Sequence, residues 1–209
     1  MGLFVTGTDT DVGKSVASSW LLHQLRGYYW KPVQSGLQGE TDRQMVMRLS
    51  GLPGDHFLQE RYSLQLPRSP HEAARKEGVT IQLTDFCMPS TPAPLVVEGA
   101  GGVMVPLNEH HLMVDLMVHL QLPVVLVCRT ALGTINHTLL SLQALRHRGL
   151  TVVGVILNGE GDEENLQAIK NYGNVKILAH IPKLSPLDQS NLARIPPLCN
   201  DWPQCLSLT

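Results

Sequence analysis

The sequence predicts an α/β protein: one domain with a mostly parallel β-sheet flanked by helices on both faces. Short apolar runs such as "LPVVLVC" (122–128) and "TVVGVILN" (151–158) are continuous rather than alternating, the pattern of strands covered on both sides. They alternate with stretches of helical spacing, and strand–helix–strand alternation produces a parallel sheet. The 209 residues carry no repeat, linker or low-complexity tract, which leaves material for a single substantial core.

The elements follow in order. "GLFVT" (2–6) reads as a buried strand, and "KSVASSWLLHQL" (14–25) as a helix with Val16, Trp20, Leu21 and Leu22 near helical spacing. "YYWKPV" (28–33) is a second strand, and "DRQMVMRLSG" (42–51) a helix stopped at Gly51. Residues 52–94 contain Pro53, Pro67, Pro70, Pro89, Pro92 and Pro94, which predict one or two short helices among loops. "APLVVEGAGG" restores order, its apolar run 95–97 ending in Glu98 and a glycine cluster. After the strand at 122–128 comes a helix, "TINHTLLSLQALRHRG" (134–149), closed by basic residues and Gly149. The strand at 151–158, a helix "DEENLQAIKNYG" (162–173) and a last strand "VKILAHI" (175–181) before Pro182 complete the pattern.

Composition narrows the classes. Hydrophobic content of 43% and charged content of 16% fit an ordered globular chain, and a net charge of -2 gives no support for nucleic-acid binding. The apolar stretch "LMVDLMVHLQLPVVLVC" is broken by Asp115, His119 and Gln121, so no membrane span is expected. "MGLFVT" fits a myristoylation pattern, but a buried strand at 2–6 argues against acylation and leaves no room for a signal peptide. Cys87, Cys128, Cys199 and Cys205 show no pair at the two-residue spacing of zinc or redox motifs, and "HEAAR" (71–75) lacks a second histidine. A reduced, cytoplasmic protein without structural metal is the expectation, with Cys128 as a core residue.

Ligands of open parallel sheets sit at the carboxyl ends of the strands, and the polar punctuation of this chain falls there: Thr6-Gly7, Glu98-Gly99, Arg129-Thr130 and Asn158. The loop "VTGTDTDVGKSVA" (5–17) resembles a phosphate-binding P-loop with one residue too many, since five residues rather than four separate Gly7 from Gly13, and two of them are Asp9 and Asp11. Thr10, Asp11, Val12, Gly13, Lys14, Ser15 and Val16 form the nucleotide-binding stretch. Backbone N–H groups at the helix start cradle phosphate, Lys14 reaches the β and γ oxygens, and the Ser15 hydroxyl ligates Mg²⁺. Glu98 either holds the metal shell or is a solvated strand-end glutamate. Asp42 either joins it or N-caps the following helix. Lys31, held extended by Pro32, is either surface or a neutraliser of transferring phosphoryl charge. Asp9 either helps to hold cations beside the loop or bonds nearby backbone amides. Asn158 lies where a base would be read, and without Asn-Lys-x-Asp the nucleotide expected is ATP.

"VTGTDTDVGKS", "KPVQSG", "SPH" (69–71), "VVEGAGGVMVPL", "LPVVLV", "LGTINHTLL" and "GLTVVGVILN" occur in the order found in the dethiobiotin synthetase family, which this chain resembles from residue 2 to about 182. The longer loop is a trait of that family. The resemblance implies a P-loop enzyme acting as a homodimer, which uses ATP and Mg²⁺ to join CO₂ or bicarbonate to 7,8-diaminononanoate and close a cyclic urea. It implies that Lys14 and Lys31 stabilise phosphoryl and carbamate charge and that Ser15, Asp42 and Glu98 hold Mg²⁺. Asp11, Lys31 and Ser35 then line the substrate side, while Asn158 and Pro182 sit with the nucleotide. Gly133, Thr134, Ile135 and Asn136 offer a helix N-terminus to the substrate carboxylate across the dimer. Where some members carry an aromatic residue that touches the partner's substrate, this chain has its nearest match around Asn165. Carboxylates in the loop suit a cationic diamine. Three other readings compete with this one. A partitioning or cell-division ATPase switch needs a second early lysine and a DNA- or membrane-binding surface. A ligase of the cobyrinic-acid amidation type needs a glutaminase domain. A nonenzymatic nucleotide-binding scaffold leaves Lys14, Lys31 and Glu98 without a purpose.

Overall fold

A computed structural model describes residues 2–161 and 163–199. The strands are β1 (Gly2–Gly7), β2 (Tyr28–Trp30), β3 (Val33–Ser35), β4 (Phe57–Leu58), β5 (Tyr62–Leu64), β6 (Leu95–Gly102), β7 (Val124–Arg129), β8 (Val152–Asn158) and β9 (Ile177–Ile181). The helices are α1 (Lys14–Leu25), α2 (Asp42–Ser50), α3 (Pro70–Lys76), α4 (Met113–Leu120), α5 (Thr134–His147), α6 (Glu163–Gly173) and α7 (Gln189–Ala193). Seven strands form one sheet in the order β4-β2-β6-β1-β7-β8-β9, with every pairing parallel.

The continuous apolar runs supply two cores at once. Successive side chains of a strand point to opposite faces, so Leu3 and Val5 join Val96, Val125 and Val127 under α1 and α2, while Phe4 joins Val97, Leu126 and Cys128 under α4 and α5. The connection from β1 therefore leaves on one face and that from β6 on the other. Their carboxyl ends are neighbours, and adjacent connections leaving on opposite faces open a crevice between them.

The segment 28–33 is not one strand. It breaks at Lys31-Pro32, because proline has no N–H to give to a ladder. The Pro32 carbonyl instead accepts from the backbone N–H groups of Arg61 (2.9 Å) and Tyr62 (3.0 Å). β3 then leaves the main sheet and pairs with β5 in a separate parallel ribbon. In 52–94 the short helix α3 lies among loops, but β4 and β5 also occur there, too short to show a period. No helix among the described residues is long and apolar enough to cross a membrane. Cys87 and Cys128 carry free thiols and Cys128 is fully buried, while Cys205 lies outside the described residues.

Candidate active site

The glycine loop leaves β1 and is pinned to the next strand by Thr8 N–H donating to the Val127 carbonyl at 3.0 Å. Of the two readings of Asp9, the structure shows the bond to a nearby backbone amide: its Oδ1 accepts from Thr10 N–H (2.7 Å), and its Oδ2 accepts from Arg129 (3.3 Å). Asp11 and Gly13 adopt positive φ values of 55° and 94°. Gly13 is required for a second reason, since a Cβ there would lie 2.2 Å from Asn158 Nδ2. The Asn158 amide packs on the loop and donates to the Val12 carbonyl at 3.1 Å. Lys14 Nζ donates to the Asp9 carbonyl at 3.0 Å. Burial, followed by the neighbouring charge of Lys31, holds the Lys14 ammonium below the usual lysine range, and Glu98, Asp42 and Asp11 offset this only in part.

Across the loop, Glu98 of β6 is not a solvated strand end. It is 1% exposed, on the α1 face of the sheet because it lies two residues after Val96. Its Oε1 accepts from Ser15 Oγ (2.9 Å) and Lys31 Nζ (3.2 Å). Its Oε2 accepts from Ser18 Oγ (2.7 Å) and Tyr29 OH (3.1 Å). Lys31 is not surface either, at 3% exposed, and also reaches Asp42 Oδ2 at 2.8 Å and the Gly99 carbonyl at 3.3 Å. Burial alone would lower the Lys31 pKa, but the Glu98 and Asp42 carboxylates raise it above the usual lysine value. Burial would raise Asp42, yet the Lys31 charge and hydrogen bond, then Ser15 and Lys14, hold it low. Asp42 is not the N-cap of α2. Thr41 takes that place in a capping box with Gln44, which leaves the Asp42 carboxylate to the cluster.

These groups face a cleft of about 740 Å³ between the loop and the 67–70 and 101–105 segments. Thr10, Asp11, Gly13, Lys14, Ser15, Val16, Lys31, Ser35, Asp42 and Glu98 line it. Val12 and Asn158 support the loop from outside the lining, and Pro182 is exposed beyond β9. Gly133, Thr134, Ile135 and Asn136 lie outside the cleft of this chain. Gly133, with φ 92°, caps α5; Thr134 is buried and donates its hydroxyl to the Arg129 carbonyl; Leu132 beside them is fully exposed.

The sequence reading missed Ser18, Tyr29, Gln34 and Arg68. Gln34 is 5% exposed in the cleft wall and donates its amide to the Ser35 carbonyl at 2.9 Å. Arg68 lines the opposite wall. Ser18 and Tyr29 did leave a signal, because Ser15 and Ser18 are spaced three apart on a helix while Tyr29 and Lys31 are two apart in an extended segment. Each pair faces one direction.

Ser15 Oγ is 2.8 Å from Asp42 Oδ1 and 2.9 Å from Glu98 Oε1, but a hydroxyl has one proton and can donate to only one of them. Three oxygen donors thus converge at the loop, a set suited to a small hard cation. Among the described residues no group of three or more His, Cys, Asp or Glu is placed to hold a metal ion, so a cation here would rest on the two carboxylates and the Ser15 hydroxyl.

The family model described as "AAA domain" matches residues 1–191. The chain is 49% identical to an ATP-dependent dethiobiotin synthetase of Paramagnetospirillum magneticum, over 94% of this chain and 95% of that one. It is likewise 49% identical to the enzyme of the same name from Agrobacterium fabrum, over 88% and 86% of the two chains. A solved ParA family ATPase from Chlorobium tepidum shares the fold, with a TM-score of 0.54 and 15% identity over 91% of this chain and 88% of that one. With near-half identity along almost its whole length and a buried lysine–carboxylate cluster set against a glycine loop, the chain belongs to the dethiobiotin synthetase family of P-loop ligases.

Proposed function

We propose that this protein carries out the ATP-dependent carboxylation and ring closure of 7,8-diaminononanoate to dethiobiotin. The observation that carries the reading is the pairing of two buried lysines, Lys14 and Lys31, across one cleft from the Ser15–Asp42–Glu98 oxygen cluster. Phosphoryl transfer needs little covalent help from the protein. It needs positive charge fixed where negative charge builds up, in a site that excludes water.

One substrate amine takes up CO₂, losing a proton, to give a carbamate. A carbamate oxygen attacks the γ-phosphorus and ADP leaves, forming a carbamic–phosphoric mixed anhydride. The second amine attacks the carbonyl, phosphate departs and a cyclic urea closes. Gly13, Lys14 and the first amides of α1 hold the phosphates. Lys31 neutralises the carbamate and the transferring phosphoryl group, and its raised pKa keeps it charged. Asp11, Lys31 and Ser35 line the diamine side. Asn158 and Pro182 flank the nucleotide's base. Mg²⁺ would be held by Ser15, Asp42 and Glu98, and when bound it supplies charge neutralisation to the phosphate oxygens.

The reading also has the chain work as a homodimer in the cytoplasm, with Gly133, Thr134, Ile135 and Asn136 serving the partner's substrate carboxylate. Their position outside the cleft of their own chain fits such a role. Supply of ¹³C-bicarbonate with ATP, Mg²⁺ and the diamine tests the chemistry. The product should carry the label in its ring carbonyl only when all are present, and an unlabelled or ATP-independent product would refute it.

A further inference from the structure

Four donor groups lie within hydrogen-bonding distance of Glu98, and their distribution over its two oxygens is uneven in purpose. Oε1 meets Ser15 and Lys31, both lining the cleft. Oε2 meets Ser18 at 2.7 Å and Tyr29 at 3.1 Å, both fully buried and neither lining the cleft. The sequence dictates this geometry. Ser15 and Ser18 lie one helical turn apart on the same face of α1, so each hydroxyl meets a different oxygen of one carboxylate. Ser19 shows the alternative open to a helical serine, donating to the Ser15 carbonyl at 2.6 Å. On the sheet, Tyr29 is paired in register with Val96, two residues before Glu98, so ring and carboxylate project to the same side.

We infer that Ser18 and Tyr29 are positioning residues that clamp Oε2 and thereby fix the rotation of the Glu98 carboxylate, holding Oε1 toward Ser15 and the metal–nucleotide end of the cleft. A carboxylate with both oxygens free to turn spends part of its time with neither aimed at the cleft. With Oε2 held by two donors on separate elements, rotation would break two charge-assisted hydrogen bonds inside a dry core. Hydrogen-bonding partners behind a ligand of this kind change metal affinity about 10- to 100-fold when removed.

The inference rests on the metal–nucleotide reading of the site, and the test separates the two. Mn²⁺ binding to the full-length protein is followed by the loss of its free EPR signal, with and without a non-hydrolysable ATP analogue, for wild type, Ser18→Ala, Ser18→Cys and Tyr29→Phe. Tyr29→Phe removes only the hydroxyl, and Ser18→Cys keeps a side chain in place should the alanine variant fold poorly. Analogue binding in EDTA and the melting temperature are measured on the same samples. The expected result is Mn²⁺ affinity of the nucleotide complex about tenfold weaker for each variant, with EDTA binding of the analogue unchanged. Variants that lower the melting temperature but bind Mn²⁺ as wild type does would overturn the clamp. Wild type that binds Mn²⁺ no better with the analogue than without would overturn the reading of the site, and the clamp with it.

Discussion

Lys31 Nζ lies 3.2 Å from Glu98 Oε1, with the two side chains 3% and 0% exposed, so the chain holds a buried ion pair at the floor of its cleft. The same ammonium is 2.8 Å from Asp42 Oδ2. Removing one partner of such a pair strands the other charge in a dry environment, which costs about 3–5 kcal/mol. Lys31→Met should therefore destabilise the protein by that amount in urea unfolding as well as abolish turnover. A loss of activity at unchanged stability would show that the carboxylates do not depend on Lys31.

The depressed pKa of Lys14 predicts an alkaline limb. Burial and the Lys31 charge make its proton leave at a lower pH than the ordinary 10.5. Its folded-state cost is full at neutral pH and fades as pH rises from the folded pKa toward 10.5. The kcat/KM for ATP, which reports on the free enzyme, should fall with a midpoint below 10.5. Lys31, shifted the other way, adds nothing there. A limb that starts only above 10.5 would assign the phosphate contact to another group.

Gly13→Ala probes the loop. Alanine at φ 94° is strained, and its Cβ would meet Asn158 Nδ2 at 2.2 Å. The cost from the backbone is about 1–3 kcal/mol, with loss of nucleotide binding. Adding Asn158→Ala removes the clash and leaves the strain, so calorimetry should find stability recovered in part and never in full.

Asp11→Asn separates the two ligands. Asp11 has φ 55°, and asparagine tolerates the left-handed region, so the substitution removes charge and keeps the loop. The carboxylate is exposed, which limits its worth to about 1 kcal/mol, or roughly fivefold in the KM for the diamine. The KM for ATP should barely change, and equal losses for both ligands would remove the diamine from this wall.

The cysteines make a control free of nucleotide. Cys128 is fully buried and burial pushes its thiol up to about 11, while Cys87 is exposed. The Cys128 shift leaves stability intact below pH 9.0 and erodes it between there and about 11, where an unfolded thiol ionises and the folded one does not. A maleimide at pH 8 should label Cys87 at once and Cys128 only on unfolding.

Much of this was legible in the sequence because it is written in local periods. The five longer strands, β1, β6, β7, β8 and β9, are runs of apolar residues whose alternate members feed two cores. The loop with Lys14 and Ser15 announced itself by its glycine spacing before a helix, and Lys31 and Glu98 by their places at strand ends. What failed was of another kind. The 28–33 strand broke because Pro32 turns its carbonyl toward Arg61 and Tyr62, contacts with partners a long way along the chain. Two- and three-residue strands such as β4 and β5 hold no period to read. Asp42 was ambiguous between cap and site until Thr41 was seen to make the cap. Ser18 and Tyr29 share a face with Ser15 and Lys31, a spacing that gains meaning only once the carboxylate between them is placed.

The most direct test follows phosphate release from ATP and Mg²⁺ in bicarbonate, with and without 7,8-diaminononanoate, while mass spectrometry tracks the diamine. The account predicts diamine-dependent release matched by a product that has gained one carbonyl and lost two hydrogens. Release indifferent to the diamine, with no new product, would contradict it.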